Sequence, residues 1–314
     1  MSRMSANSPE IVWRQIHSSL ARRGWVGRTI SVDHVAEIQH EVMERHDQGL
    51  FDEEFYSRRL TIFDFNMPKS LPGARSLLVV AVPRGQNQAI FTWKGRRRPI
   101  TIPPTYVGYD DIEKQVERVA AEVLKPASHQ VATASLPLKL LAARSGLGRY
   151  GRNNICYVQG RGSFFQLASV YTDLPPTEDY WTEAQMMEKC KECYACRLAC
   201  PTRAIPSDRF LLRAERCIVF HNEKAGKIPF PEWLDPSWHN SLVGCMRCQR
   251  ACPEDKNLLR WIEGTESFTE EETALILRGT AVGDLPTETF GKLKRLDMID
   301  YLDSLSRNLS VLLK

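Results

Sequence analysis

Apolar residues recur at helical spacing over residues 1–50. Val12, Ile16 and Leu20 fall on one face, and Val35, Ile38 and Val42 repeat the pattern after a Ser31/Asp33 start signal. A helical lead-in is expected there. Leu71-Pro72-Gly73 marks a turn, after which Ser76 to Val82 (SLLVVAV) is a continuous apolar run of strand length, the pattern of a strand buried on both faces. A core sheet begins at that run. Thr92 to Pro104 mixes Gly and Pro with Lys94, Arg96, Arg97 and Arg98, and reads as a loop or an exposed hairpin. Ile112, Val116, Val119, Ala120 and Val123 then share one face of a helix that stops before Pro126.

From Leu136 to Ser145 another helix is expected, with Pro137 near its first turn and Gly146 at its end. Asn154 to Val158 and Ser163 to Tyr171 have the composition of strands, and Gln159-Gly160-Arg161-Gly162 between them predicts a hairpin. Beyond a cysteine-rich stretch at 186–255, Ser267 and Glu270 form a capping-box pattern that opens a short helical tail. This mixture predicts an α/β (α+β) chain. Its expected domains are a helical lead-in with an α/β domain over 1–180, a cysteine-rich domain over 181–258 and a helical tail over 259–314.

Composition narrows the class. With 43% apolar residues and a net charge of only +4, the 314-residue chain is rich enough in apolar groups to fold as a globular protein. A charge of that size fits an anionic ligand, RNA or solubility alone. No window reaches the roughly 18 consecutive apolar residues of a membrane span. Met1 to Pro9 lacks the basic-then-apolar layout of a secretory leader. A soluble, cytoplasmic protein without a membrane partner is expected. Eight of the nine cysteines lie between positions 190 and 252, the exception being Cys156. Such a cluster in a chain without a leader points to metal ligation rather than disulfides.

Cys190, Cys193, Cys196 and Cys200, followed by Pro201, read C-x2-C-x2-C-x3-C-P, the run of bacterial two-cluster ferredoxins. Three thiolates at two-residue gaps wrap one cubane from a tight loop, and the fourth reaches the neighbouring cluster. A second half-motif, Cys245-x2-Cys248-x3-Cys252-Pro253, lacks its first cysteine at the usual place, and Cys217 supplies it from upstream. Crossed in this way, Cys190, Cys193, Cys196 and Cys252 are expected to hold one [4Fe–4S] cluster, and Cys200, Cys217, Cys245 and Cys248 the other. Structural zinc sites and plain buried thiols are the alternatives, but zinc motifs pair C-x2-C units without a tripled run ending in Cys-Pro. Electron transfer is the function expected of this segment. Cys156, inside Ile155-Cys156-Tyr157-Val158, reads as a small buried hydrophobe.

A ferredoxin unit accounts for a minor part of the chain, so the residues before it bind or transform something else. The most unusual stretch runs from Ala142 to Asn154, where a helix end meets Gly146, Gly148 and Gly151. These glycines permit close backbone approach to a ligand, and a helix cap and turn would use them equally well. Helix followed by glycines is not the order of a Rossmann fingerprint. Taken together, AARSGLGRYGRNN (142–154), GSFFQLASVYTDLP (162–175), CKECYACRLACPTRAI, RCIVF and GCMRCQRACP resemble the epoxyqueuosine reductases. More distantly they resemble the corrinoid-dependent reductive dehalogenases.

The resemblance implies a nitroreductase-like cobalamin-binding domain followed by a ferredoxin-like double [4Fe–4S] domain. A base-off cobalamin would lie between them, reduced to Co(I) by the nearer cluster. The same resemblance places Gly146, Gly148, Gly151, Asn153, Ser163 and Phe164 near the corrin, and implies a reduced ferredoxin or flavodoxin-type electron donor. In that family the final step forms queuosine in a tRNA anticodon loop, so Arg96 to Arg98 can be read as a phosphate-contacting patch. A solvated loop is the simpler reading.

On the substrate side the chain departs from the family. The family's proton-donor aspartate falls at Ala132, in Val131-Ala132-Thr133-Ala134-Ser135, and alanine cannot donate a proton. Phe63-Asp64-Phe65-Asn66-Met67-Pro68 replaces an arginine-containing segment, and the helical-repeat tail that grips tRNA is short or absent. The expected function is an iron–sulfur, cobalamin-dependent oxidoreductase that passes electrons through two clusters to a corrinoid and on to another small-molecule or modified-nucleoside substrate. Tyr106, Tyr109, Tyr150 and His129 are the candidate replacement donors. Two alternatives stand beside it: an electron-transfer or reductive-activation protein without substrate chemistry, and a tRNA queuosine-modification enzyme with a displaced donor.

Overall fold

The structure, a computed structural model, describes residues 7–314; the polar Met1–Ala6 stretch, part of the leader argument, lies outside them. In chain order the first half contains α1 (Pro9–Arg22), β1 (Val26–Ser31), α2 (His34–Asp47), α3 (Glu53–Arg59), β2 (Ser76–Pro83), β3 (Gln86–Trp93), β4 (Arg96–Ile102), α4 (Tyr109–Leu124), β5 (Val131–Thr133), α5 (Leu138–Arg144), β6 (Arg149–Tyr150), β7 (Cys156–Tyr157) and β8 (Phe165–Thr172). The second half contains α6 (Ala195–Ala199), α7 (Ile218–Asn222), α8 (Arg247–Arg250), β9 (Ile262–Phe268), α9 (Glu270–Leu277), α10 (Thr287–Arg295) and α11 (Leu302–Leu312). No helix among the described residues is long and apolar enough to cross a membrane.

Two compact units form, each discontinuous in sequence: residues up to Pro83 with Tyr109–Glu192, and Arg84–Gly108 with Cys193–Lys314. The first is built on an antiparallel sheet in the order β1-β2-β8-β5. β2 reads as an uninterrupted apolar run because both its faces are covered. Leu78, Val80 and Val82 pack with Ala168 and Val170 of β8 against Val12 and Ile16 of α1 and Ile112 and Val116 of α4. Leu77, Val79 and Ala81 point to the opposite face and are fully buried too, and α5 lies against β2 and β8.

Two local expectations fail in this unit. Residues 1–50 are not wholly helical: β1 intervenes between α1 and α2 and pairs along β2 from Val26↔Ala81 to Ser31↔Ser76. As an edge strand holding Gly27 and Arg28, it lacks the apolar density that would announce it. The expected hairpin of 154–158 with 163–171 does not form either. β7 pairs with β6, while β8 inserts between β2 and β5, leaving a single Val158↔Gly162 bridge across the turn. Pairing with the doubly buried β2 outweighs the local turn signal.

The second unit has a three-stranded sheet, β4-β3-β9. Of the loop or hairpin read at 92–104, the hairpin forms, from β3 and β4, and it starts earlier, at Gln86, turning at Lys94 and Gly95, both with positive φ. β9 adds in parallel along the other edge of β3. Phe91 of β3 stacks on Phe268 of β9 with ring centroids 4.7 Å apart, and Ile276, Leu293, Leu305 and Leu309 of α9–α11 complete that core. The division of the chain thus differs from the expected boundaries at 180 and 258. Hairpin 84–108 and residues 259–314 join the cysteine-rich segment because β9 and the apolar faces of α9–α11 bury together with β3. The capping box is also displaced: Thr269 and Glu272 form it, and Ser267 belongs to β9.

Candidate functional site

Gly146 follows α5 with φ +71, the left-handed conformation of a helix end. A Cβ there would meet the Tyr180 ring at 2.5 Å. One at Gly148 would meet Cys156 Sγ at 2.6 Å, and one at Gly151 would meet Asn153 Oδ1 at 2.5 Å and the Tyr157 ring at 2.6 Å. The space beside these glycines is therefore filled by the chain's own side chains. Asn153 spends its amide internally, donating to the Tyr157 hydroxyl at 3.0 Å and accepting from the Ile155 N–H at 3.2 Å. Ser163 and Phe164 are buried.

The segment instead receives the chain that leads to the first cysteine. The Thr182 N–H donates to Arg144 O at 3.0 Å, the Tyr150 N–H to Gln185 O at 3.0 Å and the Met187 N–H to Tyr150 O at 2.8 Å. The Arg152 guanidinium donates to the carbonyls of Cys190 and, at 3.2 Å, of Lys191. Upstream, Trp181 stacks on His34 with centroids 4.2 Å apart and carries the Arg144 guanidinium 4.8 Å from its ring. Arg144 pairs in turn with Glu37 and Glu41 of α2, each at 3.0 Å. These contacts pin residues 180–191 along α5 and its glycine turn and so position Cys190.

All nine cysteines are free thiols. Cys156 is buried as expected, and burial pushes its thiol up to about 12. In the second unit α6, which carries Cys196, packs against α8, which carries Cys248. Cys200, Cys217 and Cys245 come close enough to act on one another electrostatically. Burial pushes the Cys217 thiol up to about 12, with Cys245 and Cys200 adding to it. Cys245 is likewise raised by burial and by Cys200. Soft thiolates from separate turns suit an iron–sulfur cluster, which needs a wider cage than one ion. Among the described residues no three His, Cys, Asp or Glu side chains close around a single ion.

This cradle is held from α11. Arg307 donates to the carbonyls of Ala225 at 3.2 Å, Ile228 at 2.6 Å, His221 at 3.0 Å, Asn222 at 3.1 Å and Lys224 at 3.0 Å. Its guanidinium lies 4.3 Å from the Phe230 ring. Asn308 donates to Asn222 O and Leu242 O at 3.0 Å each, and Asn222 to Gly244 O at 2.8 Å. The helix that follows Cys217 and the turn that precedes Cys245 are thereby fixed to each other.

His239 lies in the same unit, 8% exposed, packed on Phe230 with ring centroids 4.5 Å apart and with neither ring nitrogen hydrogen-bonded. Burial, then the charges of Arg307 and His221, lowers its pKa to about 4. The unfolded value is about 6.5, so between these pH values the unfolded chain takes up a proton that the folded chain refuses. The stability involved is fully present above pH 6.5 and is lost as pH falls towards 4. His239→Phe is expected to flatten that acid limb in denaturant midpoints measured against pH. An unchanged slope would mean that another group carries the acid limb.

The candidate proton donors are not brought together. Tyr106 belongs to the second unit and gives its hydroxyl to Glu223. His129 pairs with Asp173 at 3.1 Å. Tyr150 is buried, its hydroxyl raised by burial and then by Cys156, and Tyr109 is exposed at the start of α4. Ala132 is buried on β5 directly across from Tyr171 of β8, so both side chains share one face of the sheet. Tyr171 is 2% exposed and its hydroxyl has no partner; Ser169, two residues along on the same face, also has an unpartnered hydroxyl. Burial and then the Asp64 charge push Tyr171 up to about 12, and the Asp64 N–H donates to Ser135 O at 2.9 Å. A protonated phenol thus stands beside Ala132. Only the β5–β8 register reveals it, and the expected hairpin concealed that register.

Residues 189–255 match the family model of the 4Fe-4S double cluster binding domain. The epoxyqueuosine reductase of Alicycliphilus denitrificans is 37% identical over 150 residues, covering 46% of this chain and 39% of that protein. That of Xanthomonas campestris pv. campestris is 32% identical over 198 residues, covering 59% and 54%. The matched stretch spans little more than half the length of these relatives at most. A crystal structure of epoxyqueuosine reductase with a tRNA-Tyr epoxyqueuosine-modified stem loop shares the fold, with a TM-score of 0.67 at 20% identity over 96% of this chain and 81% of that one. Double-cluster segment and curated relatives agree in making this chain similar to the epoxyqueuosine reductases, and it shares their fold.

Proposed function

We propose that the chain is an iron–sulfur, cobalamin-dependent reductase, in which electrons from a reduced ferredoxin or flavodoxin-type donor pass two [4Fe–4S] clusters and a corrinoid to reach a small-molecule or nucleoside substrate. The convergence of Cys200, Cys217 and Cys245 carries this reading. It brings the last cysteine of one run to the leading cysteines of the other, as crossed ligation of two clusters requires. Cys190, Cys193, Cys196 and Cys252 would hold one cluster, and Cys200, Cys217, Cys245 and Cys248 the other. The protein binds them as thiolates, partly shields Cys217 and Cys245 from water and fixes the surrounding turns through Arg307 and Asn308.

Cobalamin, when bound, supplies a strongly nucleophilic reduced cobalt. Support for it is the likeness to epoxyqueuosine reductases over 198 residues, far more than the cysteine segment alone. Gly146, Gly148, Gly151 and Asn153 offer it little, because their space and polar groups are already taken. The unpartnered hydroxyls of Tyr171 and Ser169, on the sheet face beside Ala132, are among the groups of this unit free to meet a ligand. Tyr171 holds its proton at neutral pH and is the group that this chain offers where Ala132 replaces the acid.

Anaerobic reconstitution tests the reading. Iron and sulfide analysis is expected to give two clusters per chain, and added cob(II)alamin to be retained with a base-off electron paramagnetic resonance spectrum. Intact clusters without retained cobalamin would leave an electron-transfer protein. A second reading, with tRNA as substrate, is favoured by the relative solved with a tRNA stem loop and by the exposed Arg96, Arg97 and Arg98 of β4. It requires stem-loop binding that weakens steeply with salt, and no binding at low salt removes it.

A further inference from the structure

Two side chains of the second unit aim hydrogen bonds at cysteine sulfurs. Asn240 Nδ2 lies 3.2 Å from Cys245 Sγ and 3.3 Å from Trp238 O. The amide cannot be turned over: Oδ1 accepts the Met246 N–H at 3.0 Å and the Ser241 hydroxyl at 3.1 Å. The backbone N–H has only a proton to offer, so the oxygen must face it and the NH2 must face the sulfur. Arg247 stiffens the turn before Asn240, donating to Trp238 O at 3.0 Å and Ser237 O at 3.1 Å.

The second contact joins Thr202 Oγ1 to Cys200 Sγ at 3.5 Å. Thr202 is buried, and its carbonyl is anchored by Arg216 Nε at 2.9 Å. In a free thiol either partner can donate. A ligating thiolate has lost its proton, so the threonine hydroxyl must then be the donor. Cys200 and Cys245 belong to one ligand set. A donor on a ligand sulfur draws charge from the cluster, favours the electron-rich reduced form and raises the reduction potential.

We propose that Asn240 and Thr202 hold the reduction potential of the cluster bound by Cys200, Cys217, Cys245 and Cys248 above the value its thiolates alone would give. The inference rests on the two-cluster reading and adds which residues tune it. Neither residue is a ligand; both act through the cysteine they bond.

The test is a redox titration of the anaerobically reconstituted full chain, followed by electron paramagnetic resonance, with Asn240→Asp and Thr202→Val beside the wild type. Asn240→Asp keeps the oxygen that Met246 and Ser241 use and replaces only the donor. One cluster of this variant is expected to show about a tenfold lower reduced-to-oxidised ratio at fixed poise, ~59 mV for a one-electron couple, while the other is unmoved. Thr202→Val, which introduces no charge, is expected to shift the same cluster in the same direction by less. Two intact clusters with unmoved potentials in both variants would overturn the inference. A wild type with no second cluster would overturn the underlying reading instead. Should Asn240→Asp lose the cluster, Thr202→Val decides: a downward shift supports the inference and an unmoved potential overturns it.

Discussion

Cys217→Ser is expected to reduce the chain from two clusters to one. Cys217 comes from outside both compact runs, yet the fold brings it beside Cys200 and Cys245, where a serine oxygen would replace a soft thiolate with a hard, protonated donor. With three sulfurs left the cluster has no fourth anchor. Iron and acid-labile sulfide should fall by half, and the surviving resonance should be that of the set containing Cys190. Cys156→Ser is the control and should leave both clusters in place, since Cys156 is buried against Gly148 and falls outside both cysteine motifs. Because the Cys217 thiol sits near 12 without metal, cluster loading should also release protons at neutral pH, and that release should shrink in the variant. Full iron content in Cys217→Ser would break the crossed assignment.

Arg307→Ala should be the most damaging substitution away from the cysteines. A charged donor is worth about 1.5–3 kcal/mol per hydrogen bond to stability, and Arg307 serves five carbonyls while covering Phe230. Bonds from one guanidinium are not additive, so a loss of about 4 kcal/mol is expected, a large share of the 5–15 kcal/mol of a typical domain. Denaturant titration of the variant measures it. Arg307→Lys should recover only part, since an ammonium cannot fork across a ring of carbonyls. A change below ~1 kcal/mol would mean that water replaces the guanidinium at little cost.

What could be read from the sequence tracks how local the physics is. The cysteine spacings were legible because a cubane dictates them, and SLLVVAV because a doubly covered strand has nowhere to place a polar residue. β1 was not, since its apolar partner lies in β2, some fifty residues away (Val26↔Ala81). Both Ser267/Glu270 and Thr269/Glu272 satisfy the capping-box pattern, and the choice falls to the pairing of Ser267 and Phe268 with β3. The three glycines were ambiguous between a ligand and packing, and the positions of Tyr180, Cys156 and Tyr157 favour packing. Tyr171, Arg307 and Asn308 carry no local signature at all. Their roles come from an unpartnered hydroxyl opposite Ala132 and from carbonyls presented by turns distant in sequence.

The parallel pairing of β3 with β9 also has a temporal side. On the ribosome, the hairpin of β3 and β4 emerges long before any cysteine of the two runs, but the strand and the helices that bury it follow Cys252. The second unit therefore cannot close while the cysteines are being translated. Its apolar hairpin waits uncovered, the state in which nascent chains depend most on protection from aggregation. The thiols likewise pass through a period with no cage around them. Closure of this unit is set by the arrival of β9 and α9–α11 and not by synthesis of the metal-binding residues.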